Sequence, residues 1–202
     1  MNSVELIGTY GGDKSHAMSA WTSTTRTPSK MDRMPKLLEM LAKDGHHTPF
    51  EKSSLHFLVR CDTATHIHLL KHRIGVSINA ESARYKELKE GTDYIPKDLD
   101  PVYSSLLRQH AAAGRQLYHK CIKYQVDQGM NRARAKEAAR YFLGYTNQLT
   151  LDVSFNFRSF MHFQGLRNKE EAQDEVHEVA RLMLDLVRDR GGFEHSLAAF
   201  GY

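Results

Sequence analysis

Residues 71–85, KHRIGVSINAESARY, decide how the rest of the chain is read. Lys71, His72, Arg73 and Arg84 bring basic groups, and Ser77, Asn79 and Ser82 bring hydrogen-bonding groups, all within fifteen positions. Arginine offers a planar fork that matches phosphate, lysine a mobile point charge, and serine and asparagine direct polar contacts. Such a set suits a ligand with several phosphates. Judged on charge alone, a solvated basic loop is the better reading.

Upstream, Thr63 to His72 reads as a helix capped by Asp62, with Thr65, His68 and His72 near one face and Ile67, Leu69 and Leu70 as apolar contacts. Before it, Ser53 to Arg60 alternates as a strand, Leu55, Phe57 and Val59 opposing His56, Leu58 and Arg60. Residues 45–52, GHHTPFEK, hold Pro49, which argues against a regular element there. Met31 to Lys43 carries Met34, Leu37, Leu38 and Leu41 at helical spacing and ends at Asp44-Gly45. Residues 13–31 read as polar surface chain, and residues 3–9 as a first strand ending at Gly11-Gly12.

Downstream, Gly75 to Ser82 reads as irregular or extended, a loop whose backbone approaches a ligand. A helix from about Asp100 to Gln128 repeats Val102, Leu106, Leu107, His110, Ala113, Leu117, Cys121 and Tyr124 at three and four, a stripe expected to be core. Arg132 to Phe142 forms a second helix starting near Asn131, with Arg132, Arg134 and Lys136 on a solvated face. Residues 145–155 read as a strand. Asn156 then caps a helix that places Arg158 and His162 one turn apart, and a last long helix runs from about Lys169 to Arg190.

A length of 202 residues suits one substantial core, and nothing in the composition marks a break, so residues 1–202 read as a single domain. No run of about 18 apolar residues could span a bilayer, and the N-terminus lacks a secretory pattern. Cys61 and Cys121 stand far apart without metal spacing, which suits reduced thiols in the cytoplasm and no metal site. A net charge of +4 favours an anionic partner without separating nucleotides from nucleic acid. The basic groups sit at 71–73, 132–140 and 158–167, scattered and without an aromatic stacking platform, which fits nucleic acid poorly.

The order of motifs adds a resemblance. H-R, S-x-N and S-x-R-Y in residues 72–85 are similar to the signature of the flavin-dependent thymidylate synthases, R-H-R followed seven residues later by Ser and x-R-Y. Here Lys71 replaces the first Arg, and eight residues separate Arg73 from Ser82. H-x-T-P-F-E at 46–51, A-x-x-S at 20–23, E-A-A-R-Y-F-L-G at 137–144, N-x-R-S-F-x-x-F-x-x-L-R at 156–167 and A-Q-x-E at 172–175 resemble further family motifs in the family's order. The departures are Trp21 and Lys52 for the usual Arg and His, Gly144 for Pro, His162 for Asn, His68 for Gln, and Ala80 for the Glu after the motif Asn, with Glu81 one position on.

The resemblance implies an α+β fold with a central antiparallel sheet, flanking long helices and a homotetramer. It implies FAD contacts from Ser23, His46, Thr48, Lys71, His72, Arg73, Asn156, Arg158 and His162. For deoxyuridylate (dUMP) it implies His68, Ser82, Ala83, Arg84, Arg140, Leu166 and Arg167, with Arg167 and Ser82 as the catalytic pair. Methylenetetrahydrofolate would donate the carbon and NADPH would recharge the flavin. Side chains supply none of the redox chemistry; they orient ligands and meet charge developing on the pyrimidine, for which Arg167 is the natural group. A relative installing a different one-carbon group on a pyrimidine nucleotide is the first alternative, and a basic nucleic-acid-binding protein the second.

Overall fold

A computed structural model describes residues 1–24, 28–82, 84–88 and 93–202. Four strands, β1 (Ser3–Tyr10), β2 (Ser54–Asp62), β3 (Val76–Ala80) and β4 (Gln148–Phe155), form one antiparallel sheet in the order β1-β2-β4-β3. Alternation makes it one-sided. Leu55, Phe57, Val59, Leu151, Val153 and Phe155 are buried, while His56 and Asp152 meet on the outward face, Nε2 to Oδ1 at 2.5 Å. The helices are α1 (Asp13–Trp21), α2 (Met34–Lys43), α3 (Thr63–Leu70), α4 (Pro101–Asp127), α5 (Arg132–Ala139), α6 (Phe157–Arg167), α7 (Asp174–Arg190) and α8 (Glu194–Ala199).

The chain forms two compact units, one of residues 1–3, 60–71 and 79–151, the other of residues 4–59, 72–78 and 152–202. Each is assembled from separated segments, so composition along the chain carries no boundary between them.

In the first unit, α4 packs on α5 and on the 3₁₀ turn Arg140–Phe142 through Tyr118, Ile122 and Ala139. This corrects the expected core stripe. Val102, Leu106, Leu117 and Tyr124 are 65, 51, 48 and 64% exposed, and the buried α4 residues are instead Ala111, Tyr118 and Ile122. Gly114 lies on the packed side, where an added Cβ would come within 2.5 Å of the Phe142 carbonyl oxygen. Lys136, expected on a solvated face, is buried, whereas Arg132 reaches Glu87 at 2.6 Å.

The second unit has an aromatic core of Phe50, Phe57, Phe155, Phe157, Phe160, Phe163 and Phe193. At its centre is His16, fully buried, its Nδ1 2.8 Å from Ser196 Oγ and its Nε2 2.8 Å from Ser53 Oγ. Burial pushes this imidazole down to about 4. Asp13 accepts from the backbone N–H groups of His195 and Ser196, both at 2.8 Å, and so ties α1 to α8. Residues 13–21, expected as surface chain, are therefore a helix whose Asp13, His16, Ala17 and Trp21 are buried. Its low amphipathic signal hid it, because two of its inward groups are polar and satisfied only by distant partners.

Other boundaries moved locally. Helix α3 ends at Leu70, so His72 lies beyond it and does not share a helical face with Thr65 and His68. Thr48–Glu51 forms a 3₁₀ turn that accommodates Pro49 in its first turn, Val76–Ala80 takes the extended alternative as a strand, and α7 starts at Asp174.

Candidate active site

In the second unit, the site is built on the N-terminus of α6. Asn156 Oδ1 accepts the Ser159 N–H at 2.8 Å, the cap expected from the sequence. The segment after His72 docks on this cap: the Asn156 N–H donates to the Gly75 carbonyl at 3.0 Å, and Ser159 Oγ donates to the Ile74 carbonyl at 2.7 Å. Gly75 has φ +65°, and a Cβ there would fall 2.2 Å from Asn156 Nδ2 and 2.4 Å from Ser159 Oγ. Only glycine allows this approach. Gly75 lies within the eight-residue spacer between Arg73 and Ser82.

Two residues past the cap, Arg158 is exposed and pairs with Glu51 at 2.6 Å, which links α6 to the turn carrying Thr48. At the far end of the helix, Arg167 Nε donates to His72 Nε2 at 3.2 Å. An arginine has no lone pair to offer, so this bond requires a neutral His72 with its proton on Nδ1. His72 is buried, its ring 5.0 Å from Phe163 and 6.3 Å from His162. Three predicted residues, His72, His162 and Arg167, are thus brought together from positions up to 95 residues apart.

Leu166 is exposed beside Arg167, and Arg73 is exposed next to His72. His46 and Thr48 are exposed at the start of the Thr48–Glu51 turn. Ser23 is less connected: it lies just beyond α1, and its hydroxyl donates to the Ala20 carbonyl at 2.9 Å. Arg73, Arg158 and His162 are exposed, and Asn156 is half-buried at the helix cap, so these four side chains offer groups able to donate to an anionic ligand. Sequence reasoning missed Glu51 as the partner of Arg158, although it sits inside the quoted H-x-T-P-F-E motif.

The first unit holds a cavity of about 670 Å³ lined by residues that include Arg60, Glu81, Ser82, Lys86, Arg140 and Tyr145. The structure places the predicted Ser82 and Arg140 in this one cavity. Arg84 does not line it; its Nε is drawn to Glu137 at 2.9 Å. His68 is half-buried on α3, Lys71 is exposed at the end of that helix, and Ala83 lies outside the described residues.

Glu81 is an unexpected member of the wall. Its N–H donates to the Thr150 carbonyl at 2.9 Å, and its carboxylate takes Lys86. Burial pushes the Glu81 carboxyl up, but hydrogen bonds with Lys86 and Thr150 outweigh this and hold it below the usual carboxylate range.

The profile of the family described as "Thymidylate synthase complementing protein" matches residues 5–190. The flavin-dependent thymidylate synthase of Pseudothermotoga lettingae is 30% identical over 185 residues, covering 88% of this chain and 80% of that protein. The chain belongs to the flavin-dependent thymidylate synthase family. The Streptomyces coelicolor flavin-dependent thymidylate synthase is 28% identical, covering 83% of this chain and 76% of the relative. Among solved structures, the UMP/dUMP methylase PolB from Streptomyces cacaoi, bound with 5-Br dUMP, superposes with a TM-score of 0.77 at 25% identity, over 99% of this chain and 94% of PolB. Family membership brings a flavin cofactor with it.

The residues at which the chain departs from the family motifs have definite places in the fold. His162 is exposed one turn along α6 from Arg158, Trp21 is on the buried face of α1, and the chain between Arg73 and Ser82 has a positive φ at Gly75. Among the described residues no cluster of metal-ligating side chains occurs, and no helix is long and apolar enough to cross a membrane.

Proposed function

We propose that this protein is a flavin-dependent thymidylate synthase that converts dUMP to thymidylate, with FAD as cofactor, methylenetetrahydrofolate as carbon donor and NADPH as reductant. The observation that carries the reading is the cluster of His72 with His162 and Arg167 of α6, because it unites two separate motifs around one buried imidazole. Bound FAD supplies the hydride. Arg73, Asn156, Arg158 and His162 hold its phosphates and orient its rings, with Arg158 braced by Glu51. Arg167 keeps a fixed positive charge for the pyrimidine, and neutral His72 orients it without competing for negative charge. Ser82 and Arg140 bind the sugar phosphate from their cavity.

No thiol attacks the base in this scheme. Cys61 is buried, and burial together with the Asp62 charge pushes its thiol up, away from the thiolate a nucleophile needs. Residues 1–202 act as one functional domain in the cytoplasm. The exposed stripe Val102, Leu106, Leu117 and Tyr124 supports the homotetramer, since such a face on a long helix suits burial against other subunits. Light scattering tests that part.

The decisive experiment is the absorbance spectrum of the purified protein, followed by product mass analysis with dUMP, methylenetetrahydrofolate and reduced FAD. A flavin spectrum and a methylated product are expected. A protein that neither carries flavin nor takes it up from excess FAD is not this enzyme. The similarity to a UMP/dUMP methylase favours one second reading, in which the ribonucleotide UMP is also methylated. Parallel assays with UMP and dUMP separate the two.

A further inference from the structure

The cavity of the first unit carries more positive charge than its own carboxylates neutralise. Its charged lining is Arg60, Lys86 and Arg140 against Glu81 and Glu87. Lys86 is committed to Glu81, and Glu87 is shared with Arg132 at 2.6 Å and His119 at 3.4 Å, neither of which lines the cavity. Among the described residues, neither Arg60 nor Arg140 has a carboxylate within ion-pair distance. Two guanidinium groups therefore remain for a ligand.

The place of Arg60 follows from the sheet. Along β2 the outward positions are His56, Leu58 and Arg60, and Arg60 is the last of them before Asp62 caps α3. It thereby reaches the cavity wall made by Asn147 and the first residues of the neighbouring β4, Gln148 to Thr150. The bond from the Glu81 N–H to the Thr150 carbonyl fixes the next residue, Ser82, on the same wall. A volume of about 670 Å³ is ample for a nucleoside monophosphate.

We propose that Arg60 is a second phosphate-binding residue of this cavity, acting with Arg140 on the phosphate of a pyrimidine nucleotide. This rests on the nucleotide reading above and adds to it a residue that the family motifs do not contain. A phosphate monoester carries about −1.5 to −2 charges near neutral pH, so a single guanidinium leaves it under-neutralised and a pair matches it. The planar fork gives Arg60 a bidentate contact that a lysine could only partly replace.

The test is equilibrium binding of dUMP and of deoxyuridine, the same ligand without phosphate, to FAD-loaded wild type, Arg60→Ala, Arg60→Lys and Arg140→Ala. Arg60→Ala is expected to raise the dUMP dissociation constant about tenfold or more. Deoxyuridine affinity and flavin content should stay at wild-type levels, and Arg60→Lys should recover part of the loss. Arg60 is exposed, so a thermal melt should show the variants folded. Wild-type dUMP affinity in Arg60→Ala, alongside a loss in Arg140→Ala, would overturn the role of Arg60 and leave the nucleotide reading standing. An equal loss for deoxyuridine would also overturn it, because the contact would not be to phosphate. A wild-type protein that binds FAD but no dUMP would bring down the nucleotide reading and this inference with it.

Discussion

Acid should destabilise the second unit through one residue. His16 is fully buried between two serine hydroxyls, with Phe50, Phe157 and Phe193 around its ring and no carboxylate bonded to it. Burial holds its imidazole down at about 4 when folded, against about 6.5 for a histidine in an unfolded chain. Between those values the unfolded chain binds more protons, so stability falls as pH falls. The penalty starts near pH 6.5, grows toward pH 4 and levels off below. One pH unit is worth about 1.4 kcal/mol, so at pH 4.5 His16 alone should remove roughly 2–3 kcal/mol relative to pH 7.5.

Urea unfolding followed by the fluorescence of Trp21, the single tryptophan, reports on this unit. His16→Gln keeps a polar side chain but cannot titrate. Its stability should be lower than wild type at pH 7.5, yet it should lose roughly 2–3 kcal/mol less than wild type between pH 7.5 and 4.5. Carboxylates common to both proteins cancel in that difference. If wild type and variant lose the same stability over that interval, the buried neutral histidine is not the acid-sensitive element.

Three further outcomes follow from the site. Arg167→Ala should lower thymidylate turnover by about a hundredfold or more in single-turnover assays, because a preorganised donor is worth several kcal/mol to developing charge. The double variant Cys61→Ala, Cys121→Ala should still form thymidylate once its folding is verified by circular dichroism; an inactive folded protein would restore a thiol to the mechanism. Gly75→Ala must relieve contacts of 2.2 and 2.4 Å and a φ of +65°, and should weaken FAD binding at least tenfold in a fluorescence titration, while thermal melts show a loss of about 1–3 kcal/mol.

What the sequence determined by itself was local. The strands around residues 55 and 151 announce themselves because successive side chains alternate between two environments, and their buried sets are those the alternation names. Asp62, Asn131 and Asn156 cap their helices because a cap needs only the next three residues. The motif residues could also be named in order. Tertiary structure decided the rest. Helical spacing marks an apolar stripe on α4 without saying whether it meets its own unit or lies on the surface, and most of the stripe proved exposed, with Cys121 packed against the core. The polar inward groups of α1, Asp13 and His16, have partners some 180 residues away, so nothing nearby could mark them as interior. The same distance law governs the site: Arg84 is drawn to Glu137, Arg158 to Glu51 and Arg167 to His72, and Arg60 joins Arg140 at one cavity. Hydrogen bonds and ion pairs act over a few ångströms in space, and only the folded chain sets which distant residues come within that range.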